Sequence, residues 1–251
     1  MNLKIPRRRV VCAGAIALSG ICAPAIVSER ALAQDNDIFE RNDAVTDKDN
    51  EAVTPPEDLM REHGVLDRVL LVYEAALRRF AVNDDVDPAH ITNAGEIIRD
   101  FINNYHEKSE EDYVFPRFRQ AGQMTGLVNV LLEQHEAGRR VTSTILRLAP
   151  ASRQRSEDRD RLGAAMQSFI VMYRPHAARE DTELFPKLRD LVSSNEYDAM
   201  AEDFEEKEHA LFGDDGFEKM VERVAVLEKA VGINDLAQFT PHETNAQGGG
   251  R

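Results

Sequence analysis

Apolar residues recur at three- and four-residue spacing along four long stretches of the chain, and strand-like alternation is found nowhere. Leu59, Val65, Leu66, Val69, Leu70, Tyr73 and Leu77 make the first face. Thr54-Pro55-Pro56-Glu57 opens it, with Thr as N-cap, Pro at the first helical position and Glu three residues after the cap. This helix is predicted to run to about Phe80, before Asn83-Asp84-Asp85. Pro88 opens a second, carrying Ile91, Ile97, Ile98, Phe101, Ile102 and Tyr105 and ending near Phe118, with Gly122 beyond. A third holds Leu127, Val130, Leu131, Leu132, Val141, Ile145 and Leu148 before Pro150, and a fourth runs from about Arg155 to Val192. Long helices joined by short loops predict an all-α fold, an up-down-up-down four-helix bundle over residues 54–192. Residues 193–233 read as a C-terminal extension of one or two helices packed outside the bundle. Residues 234–251, with Gly248-Gly249-Gly250, read as a flexible tail.

The first 33 residues have a different pattern. Arg7-Arg8-Arg9 precedes a mostly apolar stretch from Val10 to Val27, and Ala31-Leu32-Ala33 offers small residues for cleavage. The stretch is short and weakly apolar against the roughly 20 residues a membrane span needs, so it reads as an export signal rather than an anchor. Its paired arginines resemble a twin-arginine signal, with Val10-Val11 where Phe-Leu is usual. The expected location is the periplasm, or the membrane if the leader stays uncleaved. Residues 34–53 are acidic, polar and aperiodic, as in a disordered linker.

Composition narrows the chemistry. Both cysteines, Cys12 and Cys22, lie in the leader, so a cleaved chain has no disulfide, thiolate zinc site, iron–sulfur cluster or covalent haem. Ile21, which is not small, argues against a lipoprotein at Cys22. Cleavage would take the formal net charge from −14 to −18, a surface that repels nucleic acid and anionic lipid.

One pattern occurs twice. His106 is followed four residues later by Glu110, then by acidic Glu111 and by Phe115-Pro116; His176 is followed at the same offsets by Glu180, Asp181 and Phe185-Pro186. A lone His precedes each copy, His63 and His135, on the helix before. Residues four apart share a helix face, so antiparallel neighbours would bring four imidazoles and two carboxylates together inside the bundle. Such a set is costly to bury unless something pairs it. Two bridging carboxylates and two imidazoles per metal make a dinuclear site, with ions about 3.5–4 Å apart. Mixed nitrogen and oxygen donors suit iron better than magnesium or calcium, and manganese and zinc accept the same ligand types. A single His-x-x-x-Glu on a helix is usually a solvated ion pair, but four of the seven histidines fall in this duplicated pattern. His90, His209 and His242 have no such partner spacing and read as ordinary. The Phe-Pro pairs read as packing.

At these residues the chain resembles the hemerythrin-like, or His-His-Glu cation-binding, family over roughly residues 56–192. The resemblance implies a non-haem centre of two Fe ions, bridged by Glu110, Glu180 and an oxo or hydroxo group, with His63, His106, His135 and His176 as terminal ligands. Oxygen-carrying members have a fifth His where this chain has Arg139, and an Asp in place of Glu180. The four-His, two-Glu set is more similar to bacterial repair-of-iron-centres proteins and iron-sensing domains, which puts oxygen storage in doubt and leaves open positions for O2, peroxide or NO.

The expected function is therefore an exported di-iron protein that binds, senses or detoxifies one of these molecules. A turnover enzyme, a peroxidase or NO reductase, is the second reading, and iron or zinc storage or an interaction role is the third. No electron donor is encoded by a haem, cysteine-pair or dinucleotide motif. Glu107, Glu111 and Asp181 adjoin the ligands as candidate proton donors, though an α-helical wheel turns two of them away. Tyr105 and Tyr173 are further candidates.

Overall fold

The computed structural model describes residues 53–153 and 156–241. The expected leader, the linker apart from Val53, and His242 with the end of the tail lie outside the described residues. Within them the chain forms six helices and no strand. Helix α1 is Pro55–Ala81, α2 spans residues 88–121, α3 is Thr125–Leu148, α4 spans residues 156–191, α5 is Ser194–Phe212 and α6 is Gly216–Val231. A 3₁₀ turn, Leu236–Phe239, follows. No helix among the described residues is long and apolar enough to cross a membrane.

The helix starts follow local chemistry. Thr54 is extended and accepts from the Glu57 amide, and Asp87 does the same for Ala89 ahead of Pro88, so each satisfies an amide that the first turn leaves without a partner. At α5, Ser193 and Glu196 form a reciprocal capping box. Gly122 ends α2 at φ 65°, a left-handed conformation that glycine takes without the Cβ penalty.

Two apolar clusters lie at either end of the helices. One joins the C-terminal half of α1 (Val65 to Ala76), the start of α2 (Ile91 to Tyr105), the end of α3 (Ile145, Leu148) and the first half of α4 (Leu162 to Ala177). The other joins Leu59 at the start of α1, Val114, Phe115 and Phe118 late in α2, Val128 and Leu131 early in α3, and Leu184, Phe185 and Leu188 late in α4. Helix α6 adds Met220, Val224, Leu227 and Val231 to the first cluster, while α5 adds Met200 and Phe204 to the second. Arg68 on α1 pairs twice with Glu228 on α6, at 2.9 and 2.6 Å. The polar residues of the centre fall between the two clusters along the helices.

Candidate metal centre

Helices α1 to α4 each contribute one histidine, His63, His106, His135 and His176, all at most 3% exposed. Glu110 and Glu180 are fully buried beside them. Ligand-capable atoms fall into two overlapping groups: His63, His106, Glu110 and Glu180 in one, and Glu110, His135, His176 and Glu180 in the other. Within each group these atoms lie within 4.8 Å of one another. The paired imidazoles meet through Nε2, 3.0 Å apart for His63 and His106 and 3.2 Å for His135 and His176. Glu180 Oε2 lies 3.4 Å from His63 Nε2 and 3.1 Å from His176 Nε2; Glu110 Oε2 lies 3.3 Å from His135 Nε2 and 3.7 Å from His106 Nε2. All six residues read from the sequence thus come together, and both carboxylates are shared.

Each imidazole is fixed from outside through its other nitrogen. His63 Nδ1 donates to Asp181 at 2.7 Å, His106 Nδ1 to Glu62 at 2.7 Å, His135 Nδ1 to Glu111 at 3.1 Å and His176 Nδ1 to Gln134 at 2.9 Å. With Nδ1 donating outward, every Nε2 lone pair points inward, the arrangement that outer partners impose on metal-bound histidine. None of the four oxygens of Glu110 and Glu180 has a hydrogen-bond partner. Buried carboxylate oxygens ringed by imidazole nitrogens are costly unless a cation or protons stand between them, so the residues present fit a metal site.

Glu62 and Gln134 were not singled out by the sequence reading, yet their signal is simple: each directly precedes the lone His of its half. Glu111 and Asp181 also partner histidines, although the helical wheel turned residues of this acidic set away. The reason is that the helix is not α-helical there. Residues Glu110–Val114 and Glu180–Leu184 are π-helical, closed by bonds from the Phe115 amide to the Glu110 carbonyl and from the Phe185 amide to the Glu180 carbonyl. A proline one residue further on has no amide and clashes with the carbonyl four residues back, and a widened turn accommodates it. Beyond each π turn, Phe115 stacks on His135 at 5.5 Å and Phe185 on His63 at 5.7 Å. The Phe-Pro pairs therefore both pack and widen the helix. A third π stretch, Ile98–His106, leads into the first motif.

Electrostatics follow from this crowding. Burial opposes charge on His63 and His135, but Asp181 and Glu180 around the first, and Glu110 and Glu111 around the second, hold each up at about 10. Burial and the neighbouring Glu180 charge push Glu110 up to about 8. Glu180 is drawn down against its burial by His176 and His63. Without a metal, protons take over the pairing that a cation would provide.

Arg139, at the position where carriers have a fifth histidine, bonds Glu107 at 2.9 Å and Glu111 at 2.5 Å. Glu107 in turn accepts from Tyr173 at 2.5 Å and from Asn103 at 2.8 Å. Of the candidate tyrosines, Tyr173 joins this network, whereas the Tyr105 hydroxyl interacts with Glu62 instead. His209 is exposed and pairs with Asp214, and His90 is partly exposed, both away from the centre.

An all-helical body holding a buried, doubled His and Glu pocket defines a metal-binding helical protein. The chain belongs to the hemerythrin HHE cation-binding domain family, whose model matches residues 54–188. Its relatives include uncharacterized proteins of Mycobacterium bovis and of two Mycobacterium tuberculosis strains, CDC 1551 and H37Rv. Each is 47% identical over 190 residues, covering 75% of this chain and 74% of the relative. No solved structure matches significantly.

Proposed function

We propose that this chain is an exported di-iron protein that binds and detoxifies O2, peroxide or NO, working in the periplasm after its leader is removed. The observation that carries the reading is the pair of four-residue groups sharing Glu110 and Glu180, whose oxygens face only the site. His63 and His106 would hold one iron, His135 and His176 the other, with the two glutamates shared between them. When bound, a ferrous pair supplies electrons to a small oxygen or nitrogen species. The alternation of helix starts and ends within each apolar cluster supports an up-down-up-down bundle for α1 to α4.

The chain's own residues have separable tasks here. Outer carboxylates and Gln134 orient the imidazoles, and Phe115 and Phe185 close the apolar wall. Arg139 holds Glu111 and Glu107 in place, and the hydrogen-bonded series Tyr173, Glu107, Arg139, Glu111 reaches His135 Nδ1. That series holds the outer partners of the ligand shell in place; because an arginine, which keeps its protons, stands in the middle of it, it is a positioning network rather than a proton path.

Metal analysis of residues 34–251, purified and reconstituted with ferrous iron, tests the reading. About two irons per chain are expected, falling to about one or none in His63→Ala. Unchanged iron in that variant, or a folded chain that takes up no iron, would sink it. Loss of peroxide or NO beyond one equivalent per centre would mark an enzyme, and strictly stoichiometric loss a binder.

A further inference from the structure

The chain has no tryptophan, and its two cysteines, Cys12 and Cys22, lie outside the described residues. Its five tyrosines are therefore the rings that part most readily with an electron. One of them is in ring contact with the metal centre. Tyr173 on α4 lies three residues before His176, and the two ring centroids are 5.3 Å apart. The Tyr173 ring also stacks on Phe169 at 4.3 Å, and Phe169 meets Tyr73 of α1 edge-on at 6.0 Å. Tyr173, Phe169 and Tyr73 are at most 1% exposed. Exclusion of water on this scale limits the side reactions of a reactive group.

A phenol gives up an electron at modest cost only when its proton leaves as well, so a base must stand within hydrogen-bond reach of the hydroxyl. Tyr173 has one. Its hydroxyl donates to Glu107 Oε1 at 2.5 Å, Asn103 donates to the same oxygen at 2.8 Å, and Arg139 holds Glu107 Oε2 at 2.9 Å. Gly138 on α3 makes room for that hydroxyl, since a Cβ there would stand 1.9 Å from it. Tyr73 has no such base: its hydroxyl is buried without a hydrogen-bond partner. Tyr105 interacts with Glu62, but its ring meets Phe101 and Phe212 rather than an imidazole. Tyr113 and Tyr197 pack against Phe204 and Arg189. Contact with a ligand histidine, a base and the absence of water coincide at Tyr173.

We propose that Tyr173 is a redox residue, giving one electron to the centre when peroxide is reduced there and keeping the resulting radical in its buried ring. The inference rests on the di-iron reading. Reduction of hydrogen peroxide to two waters takes two electrons and two protons. Where the metal pair has one electron left to give, Tyr173 supplies the other. Its O–H bond breaks, the electron passes through the ring contact with His176, and the proton moves along the hydrogen bond to Glu107. Both protons of the new waters come from solvent. A neutral phenoxyl radical remains on Tyr173. It travels no further along the stack, because Tyr73 has nothing to take its proton.

The test uses the full chain, loaded with iron and poised with one electron per centre, then mixed with hydrogen peroxide, frozen and read by electron paramagnetic resonance. A tyrosyl signal is expected, with its hyperfine pattern changed when the chain carries ring-deuterated tyrosine. Tyr173→Phe should abolish it at unchanged iron content and helical circular dichroism, while Tyr73→Phe and Tyr105→Phe keep it. Glu107→Gln keeps an oxygen for the hydroxyl but removes the base, and should weaken the signal severalfold. No signal in the iron-loaded parent, or an equal one in Tyr173→Phe, overturns the donor role and leaves the di-iron reading standing. Should Tyr173→Phe not fold, an undiminished signal in Glu107→Gln overturns it instead. A chain that takes up no iron overturns both. The zinc-loaded chain, whose metal has no redox chemistry, should give no signal; one appearing there would mean that peroxide attacks the ring directly, which also ends the proposal.

Discussion

The four outer grips on the histidines are unequal in charge: Asp181, Glu62 and Glu111 are carboxylates, and Gln134 is an amide. A carboxylate behind an imidazole raises its basicity as a ligand, and losing such a partner costs about 10–100-fold in metal affinity. Glu62→Gln should therefore weaken metal binding by that order, while Gln134→Glu should tighten it; competition against a chelator of known affinity measures both. An equal effect of zero in the two variants would remove these residues from the account. The inner six residues were legible in the sequence because spacing of four on a helix brings His106 to Glu110 and His176 to Glu180. The outer four were only half legible. Glu111 and Asp181 stand out as followers of the glutamates and Glu62 and Gln134 do not, yet all four act on a histidine of another helix, a relation that no single-helix pattern encodes.

At the level of elements, helix starts were readable where a side chain caps an amide, as at Thr54 and Pro88, and these fell close to expectation. What periodicity concealed was the π turns at Glu110 and Glu180, since a wheel drawn at a constant angle per residue misplaces everything beyond them. Helix contacts carry their own prediction at α3 and α4. A Cβ built on Gly138 would stand 1.9 Å from the Tyr173 hydroxyl oxygen, so α3 approaches α4 there only because a side chain is missing. Gly138→Ala must displace Tyr173 from Glu107, and overpacking of this kind costs about 1–3 kcal/mol. Denaturant unfolding reads the cost. A neutral or stabilising result would mean that α3 moves freely.

For the whole molecule, the buried centre couples folding to protonation. His63 and His135 are held at about 10 in the metal-free fold, above the ordinary histidine value. The stability they contribute is fully present below about pH 6.5 and is lost as pH rises through about 10. Glu110, raised to about 8, adds a loss of the same sign beginning above the ordinary carboxylate range. Metal-free protein should therefore lose thermal stability as pH rises from about 6.5 toward 10. A metal replaces those protons, so its affinity and the stability it confers rise over the same range. Melting temperatures of the two forms should draw apart as pH rises across that range, and a constant difference would contradict the link to protonation. The π turns have a consequence of another kind. Each stretch, Glu110–Val114 and Glu180–Leu184, holds one residue more than an α-helical turn needs, which is the length of a single in-frame codon. Deleting the codon for Asp112 or Thr182 would force regular winding onto Pro116 or Pro186, whose ring then meets the carbonyl four residues back. The extra codon and the proline that follows it are therefore bound together in inheritance: neither can be lost alone without straining the helix that carries Glu110 or Glu180.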